Sequence, residues 1–213
     1  MGSFLYCLSN SRNILSRSRC DKCNHVLGVL DLIPVISYVF FKGRCRYCDS
    51  RISIMYPVSE LITAFIYVLI IYRYSFSKET VMYLVLSSIM IYISFKDMKE
   101  MIIPDLSVVL GIINYVVFTD KCISGIINGF LISFILLMIK LCMERIYKKE
   151  MMGYGDIKLV FMLGLYTSIY GSCIALLLSS LTGLLVALLT KQKLFPFGQC
   201  ICIGYILVFM LFR

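Results

Sequence analysis

The stretch Met152-Gly153-Tyr154-Gly155-Asp156-Ile157-Lys158-Leu159 places a carboxylate directly before an apolar run. The two glycines ahead of Asp156 lack a Cβ and leave the backbone open to close approach. An acid at the edge of a membrane segment is costly and often marks a functional site. A second acid, Asp97, ends an earlier apolar run. The two positions together predict a pair of carboxylates.

The composition is that of a membrane protein. The chain has 213 residues, of which 60% are hydrophobic, and a mean hydropathy of +0.90, whereas soluble domains are about half apolar. Because the bilayer offers no water to backbone groups, helices are expected throughout. The sequence therefore predicts an all-α, polytopic membrane helix bundle of about seven spans. The apolar runs cover residues 56–73, 80–96, 106–118, 123–142, 157–171, 172–190 and 199–212.

Residues 1–55 form the one extended polar region, so we expect a small N-terminal domain at 1–55 and a membrane domain at 56–213. Two C-x-x-C pairs lie in it, Cys20 with Cys23 and Cys45 with Cys48. Four thiolates on two tight turns favour a structural Zn²⁺ site. Two reduced or disulfide-linked pairs are the alternative, and His25 is a weaker candidate ligand. The apolar segment 27–41 is too short to span and is interpreted as packed within this domain.

The basic residues predict the orientation. Of the 21 Lys and Arg residues, all but Arg73, Lys78, Lys121 and Arg213 fall on the side of the N-terminal domain when the spans alternate. By the positive-inside rule, that domain and both aspartates face the cytoplasm. The net charge of +9 is explained by this topology and by contacts to anionic lipid headgroups. Nucleic acid is not an expected partner.

A carboxylate pair suits peptide hydrolysis. Two close aspartates share one proton, so that one activates water while the other protonates the substrate. The sequence has no histidine-based triad, HExxH or phosphate-binding loop. The helix dipole favours an ionised Asp156 at a helix start and a protonated Asp97 at a helix end. The alternative is that each acid caps a helix or balances a lysine, namely Lys96 or Lys99 for Asp97 and Lys158 for Asp156.

An ordered set of motifs along nearly the whole chain resembles the type IV prepilin leader peptidases. Gly153–Leu159 resembles the GxGDxKL motif of that family. The others are Gly2–Leu5 (GSFLN), Pro34–Tyr38 (PxxSY), Gly43–Cys48 (GxCxxC), Tyr56–Leu61 (YPxxEL), Asp97–Asp105 (DxxxxxIPD) and Pro196–Gly198 (PFG).

The resemblance implies an aspartic endopeptidase of the bacterial cytoplasmic (inner) membrane, with Asp97 and Asp156 as the catalytic acids. Its substrates would be prepilins and pseudopilins, whose basic leader it removes after a glycine at the cytoplasmic face. Many family members also N-methylate the new amino terminus with S-adenosylmethionine, an activity associated with the zinc-ribbon half. Components of pilus or secretion assembly are the further partners that the resemblance implies.

Supporting roles are also predicted. Gly153 and Gly155 would admit the substrate backbone, and Lys158 would pair with Asp156. Glu60 is either a substrate-facing acid or a first-turn residue stabilised by the helix dipole, and Asp105 is an N-cap. Pro196, Phe197 and Gly198 are carried over from the PFG motif.

Two features depart from the family pattern. Gln199 stands where a proline commonly follows PFG, which affects local loop geometry. The chain begins at the GSFL stretch, where members have most of a first membrane helix, so we expect a naturally short protein or a late start.

Two other functions compete with this interpretation. One is a presenilin-type GxGD protease, against which the cysteine pairs and the IPD and PFG contexts argue. The other is a non-enzymatic subunit of a pilus or secretion system, in which the cysteine domain serves docking and the acids only cap helices.

Overall fold

The computed structural model describes residues 2–9, 19–20, 22–23, 25–26, 28, 31, 35–120, 122–148, 152–190 and 196–211. These ranges contain α-helices and isolated β-bridges, and the chain divides into two compact units, Met1–Leu69 and Ile70–Arg213. The helices are α1 (Gly2–Ser9), α2 (Ile36–Phe40), α3 (Met55–Tyr74), α4 (Lys78–Glu100), α5 (Asp105–Phe118), α6 (Cys122–Tyr147), α7 (Tyr154–Gly164), α8 (Ile169–Thr190) and α9 (Phe197–Leu211).

The seven predicted apolar runs correspond in order to helices α3 to α9. Four of these helices, α3, α4, α6 and α8, are long and apolar enough to cross a membrane. Helices α5, α7 and α9 have only 14, 11 and 15 residues, which is shorter than the ~20 residues of a straight crossing. The structure thus confirms a helical membrane protein, and seven spans stays a prediction. The break predicted at residue 171 lies earlier, between Gly164 and Ile169.

The first unit is built on α3. Helix α1 lies against α3 so closely that a Cβ on Gly2 would approach the Cα of Glu60 to 2.7 Å. One turn further along α1, Tyr6 meets Tyr56 edge to face at 4.9 Å. Packing of this kind requires glycine at position 2, because any side chain would push the helices apart.

The segment 27–41 is not the packed element that the sequence predicted, as far as its described residues show. Within α2, Ile36, Val39 and Phe40 are exposed by 63%, 68% and 81%. The start of α2 is held instead by Glu60, whose Oε2 accepts a hydrogen bond from the backbone N–H of Val35 at 3.0 Å. Residues 27, 29–30 and 32–34 of the segment lie outside the described residues.

The second unit is organised around α7. Leu159, Val160, Met162 and Leu163 are completely buried, and α7 contacts α5, α6, α8 and α9. A buried hydrogen-bond network joins helices at this depth: Asn114 Nδ2 donates to Met82 O at 3.0 Å and to the Tyr166 hydroxyl at 2.9 Å. Because every buried donor needs an acceptor, this network fixes how α4, α5 and the end of α7 are joined.

The crossing of α6 and α7 depends on two glycines. A Cβ on Gly129 would lie 2.8 Å from Phe161 O, and one on Gly164 would lie 2.9 Å from the Cα of Gly129. Backbone atoms cannot move aside as a flexible side chain can. In a bilayer, where helices associate through close packing, such small residues set the distance between helix axes.

We therefore expect Gly129→Ala to destabilise the protein by about 1–3 kcal/mol, as overpacking of a tight contact does. Gly171→Ala is the matched control, because its Cβ would meet its nearest neighbour at an ordinary 3.4 Å. Thermal unfolding of both purified variants in detergent measures the difference. Equal melting temperatures for the two variants would contradict the close crossing.

Candidate active site and metal centre

The four paired cysteines converge in the first unit. The sulfur atoms of Cys20, Cys23, Cys45 and Cys48 all lie within 4.8 Å of one another. Each pair lies in the same type of turn, closed by an antiparallel bridge between Arg19 and Val26 in one turn and between Arg44 and Arg51 in the other. All ten cysteines are free thiols, so the disulfide-linked alternative is wrong.

The geometry of this cluster fits a tetrahedral metal ion. Zinc–sulfur bonds of about 2.3 Å in a tetrahedron separate neighbouring sulfurs by ~3.8 Å, and Cys20 Sγ lies 3.7 Å from Cys48 Sγ. Hydrogen bonding from the backbone N–H of Cys23, and then from that of Lys22, lowers the pKa of Cys20 to about 6. The Ser50 hydroxyl also lowers the pKa of Cys48, whereas burial raises that of Cys45. A thiolate is the form that binds metal. His25 is not in the cluster and stacks on Tyr47, with ring centroids 3.7 Å apart.

In the second unit, Asp97 lies in the last turn of α4 and is only 4% exposed. Its Oδ2 accepts a hydrogen bond from the backbone N–H of Gln199 at 3.0 Å, and the N–H of Gly198 also donates to it. Both donors belong to the first turn of α9. The first N–H groups of a helix have no partner within that helix and carry its positive dipole end, so α9 presents to Asp97 a site suited to an anion.

The PFG motif explains how α9 comes so near. A Cβ on Gly198 would lie 2.9 Å from Asp97 Oδ2 and 3.1 Å from Ile103 Cδ1, so only glycine leaves room for the carboxylate. Pro196 precedes α9, where its missing N–H costs nothing. Phe197 packs against the core of the unit.

Asp156 is the third residue of α7, and its carboxylate accepts a hydrogen bond from the backbone N–H of Gly153 at the N-cap. Burial, and then the negative charge of Asp97, raise the pKa of Asp156 to about 6. The Gly153 N–H and the positive charge of Lys140 act in the opposite direction. The two aspartates therefore lie within electrostatic range of each other, and their role as a catalytic pair stays a prediction.

Ile103, from the segment between α4 and α5, joins the two aspartate-bearing motifs. A Cβ on Gly155 would meet Ile103 Cβ at 3.2 Å, and Ile103 also contacts the position of Gly198. The chain reaches Ile103 because Met101 adopts a left-handed conformation (φ 54°) that ends α4 one turn after Asp97. The glycine at 155 thus permits close packing on Ile103 in addition to any role in admitting substrate.

Other predicted site residues have partners that the sequence did not indicate. Lys158 Nζ lies 2.7 Å from Asp105 Oδ1, so the predicted pairing of Lys158 with Asp156 is wrong. The N-cap of α5 is Pro104, and Asp105 is the first helical residue. Glu60 belongs to the first unit, where it accepts the Val35 N–H. Its carboxylate therefore serves the packing of α2, a role that neither of the two predictions for it included.

Two contributors to the site were not predicted from the sequence, Lys140 and the backbone N–H of Gln199. Lys140 lies near the end of the predicted apolar run 123–142 and counted there only as a topology charge, but α6 continues to Tyr147 and buries it. A lysine with apolar neighbours on both sides was the available signal. For Gln199 the signal was the departure from proline, since only a residue other than proline can donate an N–H there.

Comparison with known proteins identifies the family. The chain matches the bacterial Peptidase A24 N-terminal domain over residues 1–74 and the type IV leader peptidase family over residues 84–188. A prepilin leader peptidase/N-methyltransferase of Aeromonas salmonicida is 34% identical over 209 residues, covering 90% of this chain and 70% of the relative. The chain belongs to the type IV leader peptidase family.

Other members of the family show the same extent of similarity. A prepilin leader peptidase/N-methyltransferase of Pseudomonas putida is 31% identical, and the match covers 91% of this chain and 72% of that relative. A type 4 prepilin-like proteins leader peptide-processing enzyme of Escherichia coli is 30% identical, and the match covers 89% of this chain and 74% of that relative. No solved structure matches the chain significantly.

The cysteine cluster predicts that the purified full chain holds about one metal ion, because four convergent thiolates form a complete tetrahedral shell. Cys45→Ser should lose most of that metal and lower the melting temperature, since Cys45 is 3% exposed and central to the cluster. Cys142→Ser, an exposed cysteine outside the cluster, should change neither. Elemental analysis of protein prepared without chelators gives the ratio, and metal-free wild type would contradict the site.

Proposed function

We infer that this family member is a multi-pass aspartic peptidase of the bacterial inner membrane that removes the leader from type IV prepilin-like proteins. The observation that carries this is the convergence of two carboxylates from distant motifs, Asp97 at the end of α4 and Asp156 at the start of α7, within electrostatic range. Family membership supplies the substrate class.

In the proposed mechanism one aspartate is ionised and the other is protonated. The ionised carboxylate takes a proton from water as the water oxygen attacks the scissile carbonyl carbon. The protonated one gives its proton to the amide nitrogen as the carbon–nitrogen bond breaks, so the pair ends with the same number of protons as it began. This requires that the pair hold one proton between them in the working enzyme.

The hydrogen bonds of Asp97 support it as the ionised member of the pair. It accepts two N–H groups from the first turn of α9, and such charge-assisted bonds favour the anion. Asp156 accepts one and has a pKa raised to about 6, which suits the proton donor. This reverses the assignment expected from α4 and α7 alone, because the dipole of the neighbouring helix α9 acts on Asp97.

The further roles are proposals of the same kind. We propose that the metal of the cysteine cluster is zinc with a structural role, since four sulfur ligands leave no open position. N-methylation with S-adenosylmethionine is proposed from the names of the relatives. The described residues contain no set of side chains that we assign to that cofactor, so we derive no step from it.

The orientation is proposed from the basic residues: the N-terminal domain with the paired cysteines and both aspartates face the cytoplasm, where basic leaders are presented. Pilus or secretion assembly components remain proposed partners. A presenilin-type protease is disfavoured by the family match, and a non-enzymatic docking subunit is the alternative that the next experiment excludes.

Asp97→Asn and Asp156→Asn should each reduce leader cleavage of a model prepilin by about 100-fold or more, because neither amide can exchange the required proton. Asp120→Asn, an exposed acid on the segment between α5 and α6, is the control and should cleave normally. Membranes that contain each variant are assayed with labelled S-adenosylmethionine, which reports methylation in the same samples. Cleavage by either folded site variant would exclude the carboxylate pair.

Gln199→Pro should remove one hydrogen bond to Asp97 without breaking α9, because proline is tolerated in a first helical turn. Loss of this donor destabilises the Asp97 carboxylate anion, so the acidic limb of the kcat/KM profile should move to higher pH. Cleavage at neutral pH should fall by about 10-fold, or ~1.4 kcal/mol. Gln199→Ala keeps the N–H and should retain the wild-type profile; an identical profile for both variants would show that the bond is unimportant.

A further inference from the structure

A lysine is buried next to the candidate active site. Lys140 lies in α6 and is 4% exposed, although α6 is otherwise one of the most apolar helices. A lysine within a membrane helix is costly unless it is paired, and such residues are rare. A buried lysine therefore needs a partner, and Lys140 lies close to the Gly153–Leu159 motif.

Two groups hold the ammonium. Lys140 Nζ lies 3.2 Å from the centre of the Tyr154 ring and 3.6 Å from Glu144 Oε1. The Tyr154 ring covers the ammonium with one face while the residue remains 62% exposed. The negative face of an aromatic ring attracts a cation placed over it.

Tyr154 connects this lysine to the proposed proton donor. It is the first residue of α7 and stands between Gly153 and Gly155, two positions before Asp156. Because both neighbours are glycines, the turn has little side-chain packing of its own. The contact with Lys140 therefore engages the one side chain of Gly153–Gly155, and the charge of Lys140 also acts on the Asp156 carboxylate.

The charges around Asp156 come from several helices. Helix α4 contributes Asp97, α6 contributes Lys140 and Glu144, and α9 contributes the thiol of Cys202, which lies within range of both aspartates. Helix α5 contributes Asp105, which is paired with Lys158 of α7 itself. Helix α8 has no charged side chain. Among the described residues, Lys140 is therefore the basic group that acts on Asp156.

We propose that Lys140 is a positioning residue of the peptidase: it holds Tyr154 and with it the glycine turn, and it offsets the negative charge that the aspartate pair carries. The inference rests on the proposed function of that pair. A cation near a carboxylate favours its ionised form. With Lys140 in place, the pair holds one proton over a lower pH range than it would without it.

The test measures kcat/KM against pH for cleavage of a model prepilin by the purified full chain in detergent. Lys140→Met keeps much of the side-chain volume and removes the charge. Both limbs of its profile should move to higher pH by about 0.5 unit or more, and kcat/KM at the wild-type optimum should fall by about 10-fold. Lys140→Arg should restore the position of the limbs. Arg145→Met, which removes an exposed charge from the same helix, should leave the profile unchanged.

A second variant should move the limbs of the pH profile in the opposite direction. Glu144→Gln removes the acid that partly neutralises Lys140, so its limbs should move to lower pH. This variant keeps the inference testable if Lys140→Met does not fold, because a structural role alone predicts no shift in that direction. Unmoved limbs in folded Lys140→Met, or in Glu144→Gln, would overturn the inference. Asp97→Asn and Asp156→Asn are assayed beside them: if these still cleave, the proposed function itself fails, whereas if they are inactive only the role of Lys140 is rejected.

Discussion

The second unit depends on the hydrogen bonds that the first turn of α9 donates to the carboxylate of Asp97. A buried acid at the end of α4 faces the unfavourable end of its own helix dipole, and it requires donors from elsewhere. Helix α9 supplies them only because Gly198 lets it approach. The same approach brings α9 against Ile103, and Ile103 against Gly155. The need of Asp97 for hydrogen-bond donors thereby brings together three motifs that are far apart in the sequence, those of Asp97, Gly155 and Gly198.

The charges near the site are distributed differently from what their positions in the sequence suggest. Lys158, two residues from Asp156, turns to Asp105, whereas Lys140, sixteen positions away along the chain, is buried on the ring of Tyr154. The proposed charge compensation at the aspartates therefore comes from α6, a helix that carries none of the quoted family motifs.

The first unit, which contains the four paired cysteines, depends on a simpler interaction. Its four paired thiols lie within 4.8 Å of one another, which is the spacing that a tetrahedral metal ion requires. Glu60 of α3 supports the adjoining helix α2 through the Val35 N–H, so an acid of the YPxxEL segment has a structural partner within its own unit. The proposed metal and this hydrogen bond would stabilise a region whose described residues include few buried apolar side chains.

The sequence by itself determined the helical membrane class and the positions of the seven apolar helices, and it predicted the four cysteines that converge and the two aspartates of the proposed pair. Each of these follows from local pattern: runs of apolar residues, the C-x-x-C spacing, and acids beside glycine or proline motifs. Only the tertiary structure decided which groups surround the aspartates. The α9 donors, the contact of Ile103 with two glycines, the partner of Lys158 and the burial of Lys140 each join helices far apart in the chain. Such contacts depend on how the helices cross, and no periodicity within a single segment encodes them.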